Sequence, residues 1–150
     1  MEYHVEEVFD GHKKDYIDLL LLADEREDMI DKYLGRGRMF VMKKEGQAVA
    51  ECVVTQEGEG VCEIKNFAVA LAFWRQGRGK AMVDFGWRHF EDCHTMYVGT
   101  GDVPSTMGFY KSCGFSEDHR IKNFFTDNYR EPMFEDGKQL VDMVVLAKRR

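Results

Sequence analysis

The sequence has few of the residues that mark secreted, membrane-spanning or metal-binding proteins. It contains two prolines and four cysteines in 150 residues, and the cysteines show no Cys-x-x-Cys spacing. We therefore expect no zinc site and interpret the thiols as reduced and mostly buried. The longest aliphatic run, residues 19–22, is far too short to cross a bilayer.

The chain also lacks an excess of basic residues. Its formal net charge is -6 and its pI is near 5.4, which argues against nucleic acid as a partner because phosphate backbones are bound by basic surfaces. The amino terminus has neither the basic start nor the long apolar run of a secretory signal. We expect a cytoplasmic protein with no membrane partner.

The chain does contain enough apolar surface for one folded domain. Apolar residues make up 44% and aromatic residues 13% of the sequence, and 150 residues are too few for two comfortable domains. We predict a single domain over residues 1–150. Periodicity and turn signals predict strands at 3–9, 38–44, 47–56, 61–70, 95–99 and 139–147, and helices at 14–23, 24–35, 76–92 and 104–114.

The stretch from Glu63 to Glu91 carries the strongest functional signal. A predicted strand leads through a polar turn to two glycines, Gly77 and Gly79, that open an apolar helix. Glycines let the main chain approach a ligand closely, and the N–H groups at a helix start bind anions. Arg75, Arg78 and Lys80 add three cations to this turn. The pattern predicts a phosphate-binding turn.

Two common phosphate-binding motifs do not fit this turn. A nucleoside-triphosphate P-loop needs a glycine where Trp74 stands and Ser or Thr where Ala81 stands. A dinucleotide fingerprint needs a third glycine at the position of Met82.

The remaining pattern resembles the GNAT superfamily of acetyl-CoA-dependent N-acetyltransferases. The signature of that family is a Gln/Arg-x-x-Gly-x-Gly/Ala turn after a strand ending in a Leu-Ala-Val-like run, and Phe67–Val69 and Gly77–Ala81 match it. Trp74 departs from the leading Gln/Arg, although Arg75 and Gln76 follow at once. A second match to the family, the Phe-Tyr-x-x-x-Gly-Phe element, lies within Gly108–Phe115.

The resemblance implies a fold, a reaction and a co-substrate. The fold would be α/β (α+β), a GNAT-type mixed, largely antiparallel sheet of six to seven strands with helices on both faces. The enzyme would be an acyltransferase that moves acetyl from acetyl-CoA, without a metal, to a primary amine by direct attack through a tetrahedral intermediate. The implied coenzyme-binding residues are Phe67, Ala68, Val69, Arg75, Gln76, Gly77, Arg78, Gly79, Lys80, Ser105 and Tyr110.

The resemblance also implies roles for individual groups, each with a plainer alternative. Glu63 would be the base, on the same face of its strand as Lys65 and Phe67 by simple alternation, or would only pair with Lys65. The main-chain N–H groups of Phe67–Val69 would stabilise the oxyanion. Tyr110 would protonate the leaving thiolate, or would only pack under Phe115.

The remaining contacts and partners stay open in the sequence. Many family members place an Asn before the Tyr where this chain has Val103, so Ser105 or Asp102 would substitute. Two acidic groups predict a cationic acceptor, either a small molecule or a peptide amine, unless they are only solvated faces: Asp24, Glu25, Glu27, Asp28 and Asp31, and Glu131, Glu135 and Asp136. Both a monomer and a homodimer are left open.

Two other classes of function compete with an enzyme. Trp74 and the missing Asn favour a non-catalytic acyl-CoA-binding sensor or interaction module. A purely structural domain leaves the glycines and cations of the turn unexplained.

Overall fold

A computed structural model describes residues 3–74 and 76–150. The chain divides into two compact units, with the boundary between Cys93 and His94. The single domain over residues 1–150 stays a prediction.

The first unit is built on a four-stranded antiparallel sheet with three helices. The strands are hydrogen-bonded in the order β1-β2-β3-β4. Their bounds are Tyr3–Val8 for β1, Arg38–Lys44 for β2, Gln47–Gly58 for β3 and Val61–Val69 for β4. The helices are α1 (Ile17–Ala23), α2 (Glu27–Leu34) and α3 (Arg78–His89).

Helices cover both faces of this sheet. On one face, Ile30 and Tyr33 of α2 pack in a buried cluster with Val41 and Val53 of the strands. On the other face, Phe40 of β2 contacts α3, and its ring centroid lies 5.4 Å from that of Phe85 and 4.8 Å from that of His89. The prediction of helices on both faces is confirmed within this unit.

The hairpin between β2 and β3 has the turn that its sequence predicts. Glu45 and Gly46 both have positive φ, 53° and 79°. Two consecutive left-handed residues form the two-residue turn whose twist matches that of a hairpin. The predicted hairpin through Glu45-Gly46 is therefore confirmed.

A buried lysine holds the end of α2. Lys13 lies in a 3-10 turn, Lys13–Tyr16, that precedes α1. Its Nζ donates to the carbonyl oxygens of Leu34 at 2.8 Å and Gly37 at 2.7 Å, and lies 3.0 Å from an Asp10 carboxylate oxygen. Because the last carbonyls of a helix lack intrahelical donors, this cation stabilises the end of α2.

A β-bulge in β4 changes which side chains share a face. Asn66 lies opposite Val53 while Ile64 lies opposite Val54, so Lys65 is the extra residue. Directly opposed residues point to the same face. Glu63, opposite Thr55, therefore faces α1 and α2.

Phe67 lies opposite Cys52, which is also the partner of Phe40, and so faces α3. The expectation that Glu63 and Phe67 share a face is wrong, because simple alternation does not account for a bulge between them.

The second unit contains a three-stranded antiparallel sheet, a small hairpin and two helices. The strand order is β5-β9-β6. The elements are β5 (Thr95–Gly101), α4 (Pro104–Ser112), β6 (Ser116–Ile121), α5 (Phe124–Asn128), β7 (Phe134–Glu135), β8 (Lys138–Gln139) and β9 (Met143–Arg149).

The sequence prediction was least accurate in this second unit. The last long strand begins at Met143 rather than at Gln139, because Gln139 belongs to the β7–β8 hairpin. The strand β6 was not predicted. All six of its residues are exposed, and all but the last, Ile121, are polar, so no alternation of apolar residues marks it.

Two predictions from composition concern the cysteines and the apolar runs of the chain. All four cysteines are free and buried, as predicted. Within residues 3–74 and 76–150, no helix has both the length and the apolar character needed to cross a bilayer.

Candidate functional site

The glycine turn after β4 has the backbone geometry of an anion site. Gly77 is the N-cap of α3 with φ 78° and ψ 3°, and its carbonyl accepts the first helical hydrogen bond from Ala81 N–H at 3.1 Å. A Cβ on Gly77 would meet no atom within 4 Å, so glycine is needed here for its φ rather than for space. The first N–H groups of a helix have no acceptor within the helix. They are therefore available to an anion.

Cationic side chains lie at this helix start. The Arg78 guanidinium stacks over the Tyr3 ring, 4.1 Å from its centroid, and its Nε donates to the Gln76 carbonyl at 3.3 Å. Lys80 is exposed. Arg75, the third predicted cation, lies outside the described residues.

Trp74 connects the turn to the end of β4. Its indole Nε1–H donates to the Val69 carbonyl at 2.7 Å, while 56% of the residue remains exposed. Gln76 lies two residues after Trp74, and its Nε2 donates to the Ala72 carbonyl at 3.3 Å. One lone pair of the Val69 carbonyl is thus occupied by the indole.

The predicted residues on β4 fall on different faces of the strand. Ala68 is buried and lies opposite Glu51, whereas Phe67 and Val69 are half-buried. The Glu63 carboxylate lies 3.2 Å from the Lys65 ammonium. The pairing with Lys65, the plainer of the two expectations, is present, and the role of Glu63 as base stays a prediction.

Tyr110 lies in the second unit, buried within an aromatic group. Its ring centroid is 5.1 Å from that of Phe109 and 5.8 Å from that of Phe115. This is the packing that the plainer interpretation of the Phe109-Tyr110 pair predicts. The role of Tyr110 as an acid stays a prediction.

The start of α4 is occupied by the acidic β7–β8 hairpin. Ser105 Oγ donates to Asp136 Oδ2 at 2.5 Å, and Thr106 Oγ1 donates to a Glu135 carboxylate oxygen. Carboxylates at a helix N-terminus are stabilised by the helix dipole. Ser105, the predicted substitute for the missing Asn, is therefore already hydrogen-bonded within its own unit.

Asp102, the other candidate substitute, is also engaged. It accepts a hydrogen bond from Arg120 Nη1 at 2.9 Å, and this bond to the guanidinium holds the pKa of Asp102 below its ordinary value. The Lys138 ammonium donates to the Asp102 main-chain carbonyl at 2.7 Å. Lys138 belongs to β8, so this bond ties the hairpin to the segment before α4.

Sequence reasoning missed a buried polar group between β3, β4 and α2. Glu51 is 0% exposed, and neither of its carboxylate oxygens has a hydrogen-bond partner in the described part of the chain. Burial raises the pKa of Glu51 well above its ordinary value. The signal was one acidic residue inside the apolar run 48–54, which is unusual because unpaired carboxylates are rarely buried.

Asn66 and Tyr33 complete this group. Asn66 Nδ2 donates to the Leu20 carbonyl at 3.1 Å and to the Tyr33 hydroxyl at 2.9 Å. Asn66 Oδ1 is buried and, among the described residues, lacks a hydrogen-bond donor. Asn66 is thus fixed in orientation with its oxygen unsatisfied.

No cluster of three or more His, Cys, Asp or Glu side chains suited to a metal ion occurs in residues 3–74 and 76–150.

Comparisons with known proteins identify relatives of this chain. The family model described as "Acetyltransferase (GNAT) domain" matches residues 35–117. The chain is 33% identical over 132 residues to the uncharacterized N-acetyltransferase YvbK of Bacillus subtilis, an alignment that covers 86% of this chain and 85% of YvbK.

Solved structures extend the likeness to the whole chain. An IAA acetyltransferase from Bacillus cereus superposes with a TM-score of 0.92 and 29% identity, covering 99% of this chain and 100% of that one. A GNAT family acetyltransferase from Elizabethkingia anophelis, solved with acetyl-CoA bound, gives a TM-score of 0.90 and 32% identity, covering 99% and 98%. The predicted fold class is confirmed.

Proposed function

This chain belongs to the GNAT family of acetyltransferases, and on that premise we propose that it transfers acetyl from acetyl-CoA to a primary amine by direct attack on the thioester. It is an acyltransferase whose acyl donor is acetyl-CoA. The acceptor and the residue roles are the proposed part. The observation that carries the proposal is Gly77, which holds a left-handed conformation at the start of α3 directly after β4.

The residues of the first unit fit a coenzyme A diphosphate. The helix start offers main-chain donors, and Arg78 and Lys80 add positive charge next to them. We assign the diphosphate to Gln76–Lys80, together with Arg75, and the pantetheine arm to the main chain of Phe67–Val69. In the second unit, Ser105 and Tyr110 are the proposed contacts.

The chemistry places three demands on the protein. A lysine-like amine of pKa about 10.4 is almost entirely protonated at pH 7, and freeing it costs roughly 4.6 kcal/mol, so we propose Glu63 as the base, directly or through water. The N–H groups of Phe67–Val69 would stabilise the oxyanion, where loss of one donor typically costs about 3 kcal/mol. Tyr110 would give its phenolic proton to the thiolate of coenzyme A.

We propose that the acceptor is a small-molecule or peptide amine in the cytoplasm. Four free, buried thiols are consistent with a reducing compartment.

Release of coenzyme A thiol in the presence of varied amines tests the proposal. Turnover of acetyl-CoA that depends on an added primary amine is the expected result. A protein that binds acetyl-CoA but releases no thiol with any amine would be a sensor rather than an enzyme.

Glu63→Gln tests the proposed base. We expect kcat to fall by about 10²-fold at pH 7, because proton transfer by a positioned group typically contributes 10² to 10⁴. Glu59→Gln, at an exposed position in the β3–β4 turn, is the matched control with the same change of charge. An unchanged rate in Glu63→Gln from pH 6 to 9 would remove Glu63 from the mechanism.

A further inference from the structure

Three buried oxygen atoms without donors lie on one face of the first unit. They are the two carboxylate oxygens of Glu51 and the side-chain oxygen of Asn66. Val53 lies between them in register, since Glu51 is two residues before Val53 on β3, and Val53 lies opposite Asn66 on β4. All three side chains point to the face covered by α1 and α2.

Leaving such oxygens unsatisfied is costly, so their presence calls for a physical cause. A buried acceptor without a donor loses the hydrogen bonds it made to water, and native proteins rarely retain such groups without a function or a bound molecule. The amide of Asn66 has no donor left for them, because Nδ2 donates to the Leu20 carbonyl and to the Tyr33 hydroxyl. A donor group of a bound molecule would satisfy these oxygens.

The number and type of these oxygens match one chemical group. A primary ammonium has three N–H donors and one positive charge. The site offers three acceptor oxygens. Two of them belong to Glu51, which carries a negative charge when it is deprotonated. Glu51 is also the cross-strand neighbour of Ala68, within the segment that we assign to the pantetheine arm.

We propose that Glu51 and Asn66 bind an ammonium group of the acceptor substrate other than the one that is acetylated. The acceptor is then a diamine or a larger cationic amine. This inference rests on the proposed function and adds the substrate class. The Asp24 carboxylate, whose charge contributes after burial to the raised pKa of Tyr33, is a further negative charge near this site.

Binding of this ammonium is coupled to the release of a proton. Burial raises the pKa of Glu51 and so favours its neutral form when no cation is bound. A bound cation favours the carboxylate, so the carboxyl proton leaves to solvent as the ion pair forms. Burial is the main cause that raises the pKa values of the titratable neighbours Tyr33 and Cys52. The carboxyl of Glu51 is therefore the group that loses its proton.

Calorimetry with 1,4-diaminobutane, in the absence of acetyl-CoA, tests this site directly. Titrations at pH 6 in two buffers of different ionisation enthalpy report the protons exchanged. We expect the wild type to release protons as it binds the diamine. Glu51→Gln should bind the diamine about 10- to 100-fold more weakly and without linked proton release, whereas Glu59→Gln should behave as the wild type.

A second measurement compares substrates. The wild type should acetylate 1,4-diaminobutane with a kcat/KM at least about ten-fold above that for n-butylamine, and Glu51→Gln should lose this preference while keeping turnover of n-butylamine. Glu51→Met, which fills a similar volume without polar atoms, gives the same test should the Gln variant fail to fold.

The outcomes separate this inference from the proposed function. Equal turnover of both amines by the wild type and by Glu51→Gln would overturn the ammonium site and leave the acetyltransferase intact. Diamine binding with proton release, in a protein that releases no thiol with any amine, would support the site and overturn the proposed function.

Discussion

The hydroxyl of Tyr110 can be removed without disturbing the packing of its ring. Tyr110→Phe keeps the ring that packs on Phe109 and Phe115. We expect kcat to fall by about 10²-fold, because the thiolate then leaves without a positioned acid, and KM for acetyl-CoA to change little. Thermal melting of the variant should match that of the wild type. Unchanged turnover would show that Tyr110 has only a structural role.

Individual side chains in this protein differ in how well the sequence reveals them. Gly77, Arg78 and Lys80 could be placed at the start of a helix because their motif is local and contiguous. Glu51 could not be recognised, because its significance depends on β2 and β4 flanking β3 and on α2 covering it. A sequence shows a charged residue in an apolar run but not whether a partner reaches it.

The buried carboxyl of Glu51 should make stability depend on pH. Its folded pKa is raised by burial, whereas the unfolded value is about 4.3. Between these two values the folded protein binds more protons, so the stability from this group is complete below the unfolded pKa and is lost as pH rises towards the folded one.

Urea unfolding at pH 5 and pH 8 measures this dependence. From pH 5 to pH 8, the free energy of unfolding of the wild type should fall by more than about 1 kcal/mol relative to that of Glu51→Gln. One unit of pKa difference between the folded and unfolded states corresponds to about 1.4 kcal/mol. A constant difference between the two proteins would show that Glu51 titrates normally.

At the scale of elements, the sequence predicted what is local and missed what is set by neighbouring strands. The β2–β3 hairpin follows from Glu45-Gly46, whose positive φ values suit that turn. The bulge at Lys65 has no local signal, and it moved Glu63 to the face opposite Phe67. The β7–β8 hairpin is too short to show periodicity, with two residues in each strand.

Two glycines in and before α3 provide a matched pair of substitutions. Gly77 has φ 78°, so Gly77→Ala should destabilise the protein by about 1–2 kcal/mol and weaken acetyl-CoA binding. Gly86 lies within α3, and a Cβ there would meet no atom within 4 Å beyond the helix itself. Gly86→Ala should therefore stabilise by about 0.5–1 kcal/mol. Equal changes in melting temperature for both variants would contradict the left-handed cap.

At the scale of the whole molecule, the family could be predicted although the acceptor could not. The glycine turn and the Phe109-Tyr110 element lie in different units, and two separated matches to one family are more specific than either alone. The two acidic groups of the sequence indicated only that the acceptor carries a positive charge. Recognition of an amine depends on where single oxygens lie in three dimensions.

Thermal unfolding tests the single domain and the co-substrate together. We expect one calorimetric transition, with equal calorimetric and van't Hoff enthalpies, because a single domain unfolds cooperatively. Acetyl-CoA at about a hundred times its Kd should raise the melting temperature by about 5 to 10 °C. Two separate transitions, with only one shifted by acetyl-CoA, would show that the two units, which are divided between Cys93 and His94, unfold independently.

The bonding of Lys13 has a consequence for a protein that works with a reactive thioester. Thioesters slowly modify accessible amines without any catalyst, and the nucleophile in that side reaction is the nitrogen lone pair. Lys13 is buried and its ammonium lies against three oxygens, so a thioester in solution has little access to the nitrogen. Modification would also remove the charge that stabilises the end of α2. Lys13 is thus shielded from the reactivity of acetyl-CoA by the same contacts through which it stabilises the end of α2.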